Sequence, residues 1–197
     1  METKIIKSKI GVDIDDVIFP LMENYLRFHN SRHGTNFKLE NLSNYHLWKT
    51  GIHNSREESI NEVLEFQNSP YYDAIDLMDG AKEVLEEISK NFEVYFVTSR
   101  PLKLKHKTES LLNKNFPKNG FNILYSGEIY GGNLSKAEIC KTWKIPSIIE
   151  DNPDYATDCA RNGIRVFLPD KPWNINCEKN ENITRMKDLK EVLKLLK

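Results

Sequence analysis

The residues best placed to do chemistry are the carboxylates crowded into GVDIDDVIFP, residues 11–20: Asp13, Asp15 and Asp16. Carboxylates this close repel one another and raise each other's pKa unless a metal ion, a shared proton or solvent relieves them. Further polar groups follow apolar runs downstream. Thr98, Ser99 and Arg100 come after FEVYFV, Lys136 comes after Ser135, and Glu150, Asp151 and Asp154 come after PSII. Together they suit phosphoryl transfer. Carboxylates from two segments can hold Mg²⁺, a hard ion that prefers oxygen ligands and keeps several waters. One carboxylate can attack phosphorus and form an aspartyl-phosphate; a second, two residues on, can protonate the leaving alkoxide and later deprotonate water. Thr98 with its neighbour Ser99, backbone amides at the helix opened by Pro101, and Lys136 can hold the phosphate oxygens on which transition-state charge develops.

Elements must bring these segments together. Short apolar, β-branched runs alternate with amphipathic segments, the pattern of a parallel sheet covered by helices. The expected strands are residues 9–14, 92–98, 121–125, 146–150 and 164–168. Helices are expected over AKEVLEEISK, over SKAEICKTW with Ser135 and Glu138 in capping-box spacing, and over NPDYATDCARNG with Asn152 as cap. A last helix is expected over about 186–196, with Met186, Leu189, Val192 and Leu196 on one face. In open α/β sheets ligands bind beyond the carboxyl ends of the strands, which is where every polar group named above falls.

Residues 20–78 interrupt the alternation. They hold no convincing core strand but two helix signals, LMENYLRFHNSRHG and SREESINEVLEFQ, with the aromatic stretch NYHLWKTG between them. So long an insertion after a first strand exceeds an ordinary connection. The fold class expected is therefore α/β: a Rossmann-like parallel sheet sandwiched by helices, with a small helical cap inserted after the first strand. Residues 1–19 and 79–197 form the core domain and residues 20–78 the cap.

Composition narrows the partners. Twenty-eight basic against 29 acidic residues give no general field for a nucleic acid polymer or a membrane. No stretch approaches the ~20 apolar residues of a membrane span, and the amino terminus lacks a leader-like apolar core. The expectation is a soluble cytoplasmic protein with a small-molecule substrate. Cys140, Cys159 and Cys177 form no CxxC pair and are expected to be reduced structural thiols.

In order along the chain, VDIDDV, FVTS, Lys136 and IIEDNPD resemble the four motifs of the haloacid dehalogenase superfamily of phosphotransferases. That resemblance implies Asp13 as nucleophile, Asp15 as general acid and base, and Mg²⁺ held by Asp13, Asp151 and the main-chain carbonyl of Asp15. The opening of the cap, with the late FLPDKPWN, is similar to the 5'(3')-deoxyribonucleotidases of the cytosolic type C group. A nucleoside monophosphate substrate follows, its base held by cap aromatics; Phe19, Tyr45, Trp48, Tyr71 and Tyr72 are the candidates for stacking, and Arg100 is a candidate for contacting phosphate or sugar, with a solvated Arg as the plainer reading. The resemblance leaves a homodimer open. Two departures stand out. Asp16 occupies a place where many relatives have Gly, and the fourth motif reads Glu150, Asp151.

Plainer readings compete. Asp13 and Asp15 could form a solvated turn or a helix cap. An EF-hand loop fails because its Gly and terminal Glu are missing at Ile18 and Asn24. Thr98 could simply cap a helix and Lys136 could be a surface lysine, although a lysine in a helix's first turn opposes the macrodipole and wants an anion nearby. Asp154 suits a first helical turn without any metal, and KLKHK, 103–107, reads as a solvated helix face. His29 and His33, at i and i+4, lack a third metal ligand in sequence and are expected to be surface or packing residues. Asp16 is expected to bond nearby backbone rather than Mg²⁺. Competing functions are a phosphatase of another small phosphomonoester, such as a sugar phosphate, and a catalytically weak nucleotide-binding protein; intact Asp13 and Asp15 argue against the latter.

Overall fold

The computed structural model describes residues 7–117, 121–126 and 134–196; the amino-terminal residues 1–6, part of the leader argument above, lie outside them. Among the described residues six strands form one parallel sheet: β1 (Ser8–Val12), β2 (Phe92–Thr98), β3 (Asn122–Tyr125), β4 (Ser147–Ile149), β5 (Arg165–Pro169) and β6 (Ile183–Met186), in the spatial order β3-β2-β1-β4-β5-β6. The chain builds outward from β1 on one side, then crosses to β4 on the other. The point where the order reverses therefore lies between β1 and β4, where Gly11 pairs with Ile148 and Val12 with Ile149. The approach at Gly11 is close: a Cβ would stand 3.0 Å from Ile148 Cγ1, so a larger residue would need that side chain to give way.

Both faces of the sheet are buried, as a parallel sheet requires. Along β2, Val94 and Phe96 face one apolar core while Tyr95 and Val97 face the other. The first core takes α4 (Ala81–Asn91) through Val84, Leu85 and Ile88, and α5 (Lys105–Asn115) through Leu111 and Leu112. The second takes α6 (Lys136–Trp143) and α7 (Pro153–Arg161) through Ala137, Cys140, Ala156 and Cys159. Both capping signals are realised. Ser135 and Glu138 form a reciprocal box, and Asn152 accepts from the amides of Asp154 and Tyr155. All three cysteines are free.

Between β1 and β2 lie α1 (Leu21–His33), α2 (Arg56–Phe66) and the short α3 (Pro70–Asp73), with no strand. Their buried residues Tyr25, Phe66, Tyr72 and Ile75 belong to the same apolar cluster as Val12 and Phe96. Phe66 meets Tyr25 and Tyr72 edge-on, with ring centroids 5.6 and 5.7 Å apart.

One expected element is corrected. The helix over 186–196 is replaced by strand β6, a 3-10 turn at Leu189–Glu191, and α8 (Val192–Leu195). Ile183–Met186 pairs with Val166–Pro169 at the sheet edge, so Met186 is a strand residue. The apolar spacing permitted a helix; the open edge of β5 offered backbone partners that a helix would leave unpaired. Among the described residues no helix is long and apolar enough to cross a membrane.

Candidate active site

β1 continues past Val12 by one bond, Asp13 N–H donating to Ile149 O at 2.9 Å, and the chain then turns sharply. Asp16 takes a left-handed backbone, φ 56°, the region that glycine enters freely and Asp tolerates. Its carboxylate accepts from the Met22 amide at 3.0 and 3.2 Å. Met22 lies in the first turn of α1, where Pro20 at the cap position offers no side-chain acceptor. Asp16 is thus a helix cap reaching back from the loop, and the bonding to nearby backbone expected from sequence is realised.

This turn, with β4 ending alongside, gathers the buried polar set. Asp13 is 4% exposed, Lys136 1% and Asp151 0%. Lys136 Nζ lies 2.8 Å from Asp13 Oδ1 and 2.6 Å from Glu150 Oε2, with the Tyr155 ring centroid 4.8 Å away. These are the anions that a lysine in a first helical turn calls for. Glu150 also accepts from the Asn152 amide at 2.9 Å, so both its oxygens are engaged. Asp151 Oδ2 accepts from Trp173 Nε1 at 2.9 Å, whereas Asp151 Oδ1 is buried with no hydrogen-bond partner. Asp15 is held from the other side: Arg100 Nε donates to Oδ1 at 3.2 Å and Oδ2 at 3.0 Å, and Nη2 donates to Oδ1 at 2.6 Å. Arg100 is itself 2% exposed, with the Tyr72 ring beneath it and Thr108 Oγ1 accepting from Nη1.

The electrostatics follow from burial. Burial first, then the charges of Glu150 and Asp15, push Asp13 up to about 8 against the pull of Lys136. Burial likewise pushes Asp16 and Glu150 up to about 7, and holds Asp151 well above the carboxylate range with Asp16 and Asp13 adding to it. Burial opposes the charge on Lys136, yet Asp13 and Glu150 more than offset it and raise its pKa. The nearby charge of Lys171 lowers Asp16 and Asp151. Such a set carries more negative than positive charge and fits a cation. Carboxylate oxygens of Asp13, Glu150 and Asp151 lie within 4.8 Å of one another.

A pocket of ≈ 680 Å³, its open mouth included, adjoins the set. Asp15, Ser99 and Arg100 line one end, and Leu21, Met22, Tyr45, His46, Trp48, Val63 and Phe66 supply the wall. His46 stacks on Trp48 at 4.4 Å and its Nε2 lies 3.0 Å from Asp154 Oδ2 on α7, a contact between the helical segment and the sheet domain. Thr98 is fully buried at the end of β2, its hydroxyl oxygen accepting from the Arg100 amide at 3.2 Å.

Of the residues singled out from sequence, Asp13, Asp15, Thr98, Ser99, Arg100, Lys136, Glu150 and Asp151 come together. Tyr45 and Trp48 face the pocket; Phe19 does not. It is fully buried in the apolar core below the turn, so a stacking role for it is corrected. Tyr72 is buried against Arg100, and Tyr71 packs edge-on against Phe28. Asp154 is two-thirds exposed and turned to His46, away from the buried acids. Trp173 and Lys171 were missed as site residues. They sit within FLPDKPWN, a segment whose resemblance was visible, but nothing in its spacing says that Trp173 folds back 22 residues onto Asp151.

Similarity to known proteins fits this geometry. Over 183 residues the chain is 28% identical to a nucleotidase of Clostridium acetobutylicum, covering 93% of this chain and 90% of that one. Among solved structures it superimposes on a haloacid dehalogenase-like protein of Agrobacterium tumefaciens with a TM-score of 0.70, at 12% identity over 97% of this chain and 98% of the other. A HAD-hydrolase of Bacillus subtilis bound to magnesium gives a TM-score of 0.63, at 15% identity over 96% and 98%. At these identities the two structures speak to the fold alone. The model of the family described as 5' nucleotidase, deoxy (pyrimidine), cytosolic type C matches residues 7–195, and the chain belongs to that family.

Proposed function

We propose that this protein is a Mg²⁺-dependent nucleotidase that hydrolyses nucleoside monophosphates through an aspartyl-phosphate on Asp13. The observation that carries the reading is the meeting of Asp13, Asp15, Lys136 and Asp151 at the point where the strand order reverses, beside a pocket walled by aromatic and apolar side chains. Residues 20–78 act as a cap over a core of residues 1–19 and 79–197.

The donors fit the metal. Asp13 and Asp151 offer hard oxygen ligands, and the unpartnered Oδ1 of Asp151 is the buried acceptor a cation would satisfy. As the motif resemblance implies, the Asp15 main-chain carbonyl would complete the protein's share. Glu150 is committed to Lys136 and the Asn152 amide, which leaves it the task of holding the lysine. When bound, Mg²⁺ supplies positive charge that ionises the crowded acids and offsets the charge on the phosphate.

Asp13 attacks phosphorus as the bond to the leaving oxygen breaks, and that alkoxide takes a proton from Asp15 in its acid form; Asp15 then takes a proton from water as the water attacks phosphorus, breaking the bond to Asp13 and releasing phosphate. Arg100 fixes the Asp15 carboxylate by three hydrogen bonds, so its orientation is set before substrate arrives. Lys136 stands beside the nucleophile, where charge on the equatorial oxygens grows. Thr98 uses its oxygen to accept from Arg100, which leaves the hydroxyl proton, with the Ser99 hydroxyl, to donate to phosphate. Tyr45 and Trp48 offer stacking faces to the base, while Met22, Val63 and Phe66 exclude water.

Phosphate release from a panel of ribo- and deoxynucleoside monophosphates and sugar phosphates tests the reading, with Mg²⁺ or EDTA. Nucleotides are expected to turn over only with metal, Asp15→Asn to lower kcat by about 10²–10⁴-fold, and Asp13→Asn to form no phosphoenzyme. Turnover of sugar phosphates alone would overturn the substrate assignment, and turnover by Asp13→Asn would remove that residue as nucleophile.

A further inference from the structure

His29 and His33 stand one turn apart on α1, and the fold supplies the partners that sequence did not show. His29 Nδ1 and His33 Nε2 each lie 3.0 Å from Glu62 Oε1 on α2. His53, in the loop just before α2, places Nδ1 3.6 Å from Glu62 Oε2 and 3.8 Å from Glu58 Oε1. Candidate ligand atoms of His29, His53 and Glu62 fall within 4.8 Å of one another, and all three residues are buried.

We propose that this cluster binds one Zn²⁺, a structural ion in the helical cap that is separate from the acidic site at Asp13. Its spacing is right. A tetrahedral ion with bonds of about 2.0–2.1 Å sets its ligand atoms about 3.3 Å apart, and His29 Nδ1 lies 3.0 Å from Glu62 Oε1 while His53 Nδ1 lies 3.6 Å from Glu62 Oε2, on either side of that value. One of its polar atoms is left without a partner. The His53 side chain is 1% exposed, yet its Nδ1 has no hydrogen-bond partner. The Glu62 carboxylate is 10% exposed, and the groups that surround it are the histidines His29, His33 and His53. A buried carboxylate needs a compensating charge.

The surroundings of His53 match those of a ligand. Its Nε2 lies 2.5 Å from the Tyr25 hydroxyl. With Nε2–H donating to that oxygen, the lone pair falls on Nδ1 and faces the carboxylates, as the outer hydrogen bond of a metal-bound imidazole arranges. Burial lowers the pKa of His53, which keeps the ring neutral and able to ligate. Imidazoles with a carboxylate suit Zn²⁺ better than Mg²⁺, and Glu62 and Glu58 together balance its two charges. The His33 side chain is 43% exposed. It bonds Glu62 from outside the group of three, which leaves the fourth position to a water.

The site would join α1, α2 and the loop at His53. The same elements line the substrate pocket through Tyr25, Ser59 and Val63. Zn²⁺ there would fix the pocket wall without touching the reacting atoms, so the inference stands whether or not the substrate is a nucleotide. The competing arrangement is a hydrogen-bonded His–Glu network with no ion.

The full-length protein, stripped with EDTA and dialysed, should be titrated with Zn²⁺ against a chromophoric chelator as wild type, Asp151→Asn, Glu62→Gln and His53→Ala. Wild type and Asp151→Asn are expected to take up one tightly held Zn²⁺, while Glu62→Gln and His53→Ala lose it. Tyr25→Phe should weaken binding by about 10–100-fold. Co²⁺ in Asp151→Asn should give the intense visible bands of a four-coordinate ion, a readout needing no change in the cluster if Glu62→Gln fails to fold. The proposal is overturned if wild type takes up no Zn²⁺, if uptake is lost in Asp151→Asn but kept in Glu62→Gln, or if Co²⁺ shows only weak six-coordinate absorption.

Discussion

Asp16 shows how one side chain can serve backbone geometry and electrostatics at once. Its φ of 56° asks for Gly, Asn or Asp, and its carboxylate supplies the cap that Pro20 cannot give α1. Asp16→Ala should cost about 1–2 kcal/mol through the lost cap and the left-handed backbone. Asp16→Asn keeps both features and removes a charge whose pKa burial pushes up to about 7, so it should match or exceed wild type in the metal-free protein. Urea unfolding in EDTA near pH 7.5 measures both. Asp13 gives a second expectation. Its pKa rises from 3.8 to about 8 on folding, so between those values the folded state binds more protons than the unfolded one. Stability from this group is present below 3.8 and is lost as pH rises through 8. On the proposed reading Mg²⁺ would compete with the same proton. The gap in Tm between Mg²⁺ and EDTA samples should therefore widen from pH 5 to pH 8; a gap independent of pH would detach the metal from Asp13.

At the scale of elements, the loop before α2 meets α7 through His46 and Asp154. Asp154 is two-thirds exposed, and an ion pair so open to solvent adds only about 0–1 kcal/mol. Its consequence is positional: His46 stacks on Trp48, which faces the pocket. Asp154→Ala should leave unfolding within about 1 kcal/mol of wild type while raising KM and leaving the Mg²⁺ affinity unchanged. A loss of Mg²⁺ affinity in that variant would return Asp154 to the metal site. Element boundaries followed local chemistry where caps were explicit, as at Ser135 and Asn152, and failed at the carboxyl end. There Met186, Leu189, Val192 and Leu196 satisfy helical spacing, yet Ile183–Met186 extends the sheet.

For the molecule as a whole, the helical segment and the sheet share one apolar cluster running from Tyr25 and Phe66 to Val12 and Phe96. Phe66 is fully buried between Tyr25 and Tyr72. Phe66→Ala should cost about 3–5 kcal/mol, and if the cluster is one cooperative unit the loss will appear as a single shifted transition by circular dichroism and tryptophan fluorescence alike. Separate transitions would show that the segment folds on its own.

The alternation of apolar runs with amphipathic ones, and the order of DIDD, TSR, Lys136 and ED, determined by sequence alone a parallel α/β sheet with its polar groups at the strand ends. Those signals are local: a period of two or 3.6 residues, a cap, a carboxylate just past a strand. Only the tertiary structure decided which polar groups meet. Arg100 reaches Asp15 across 85 positions, Trp173 returns to Asp151, Glu150 anchors Lys136, and His53 and Glu62 join the histidine pair on α1. Each partnership is set by packing between elements whose relative placement no spacing encodes. Their burial then shifts the pKa of Asp13 and Asp151, a quantity that exists only once water has been excluded.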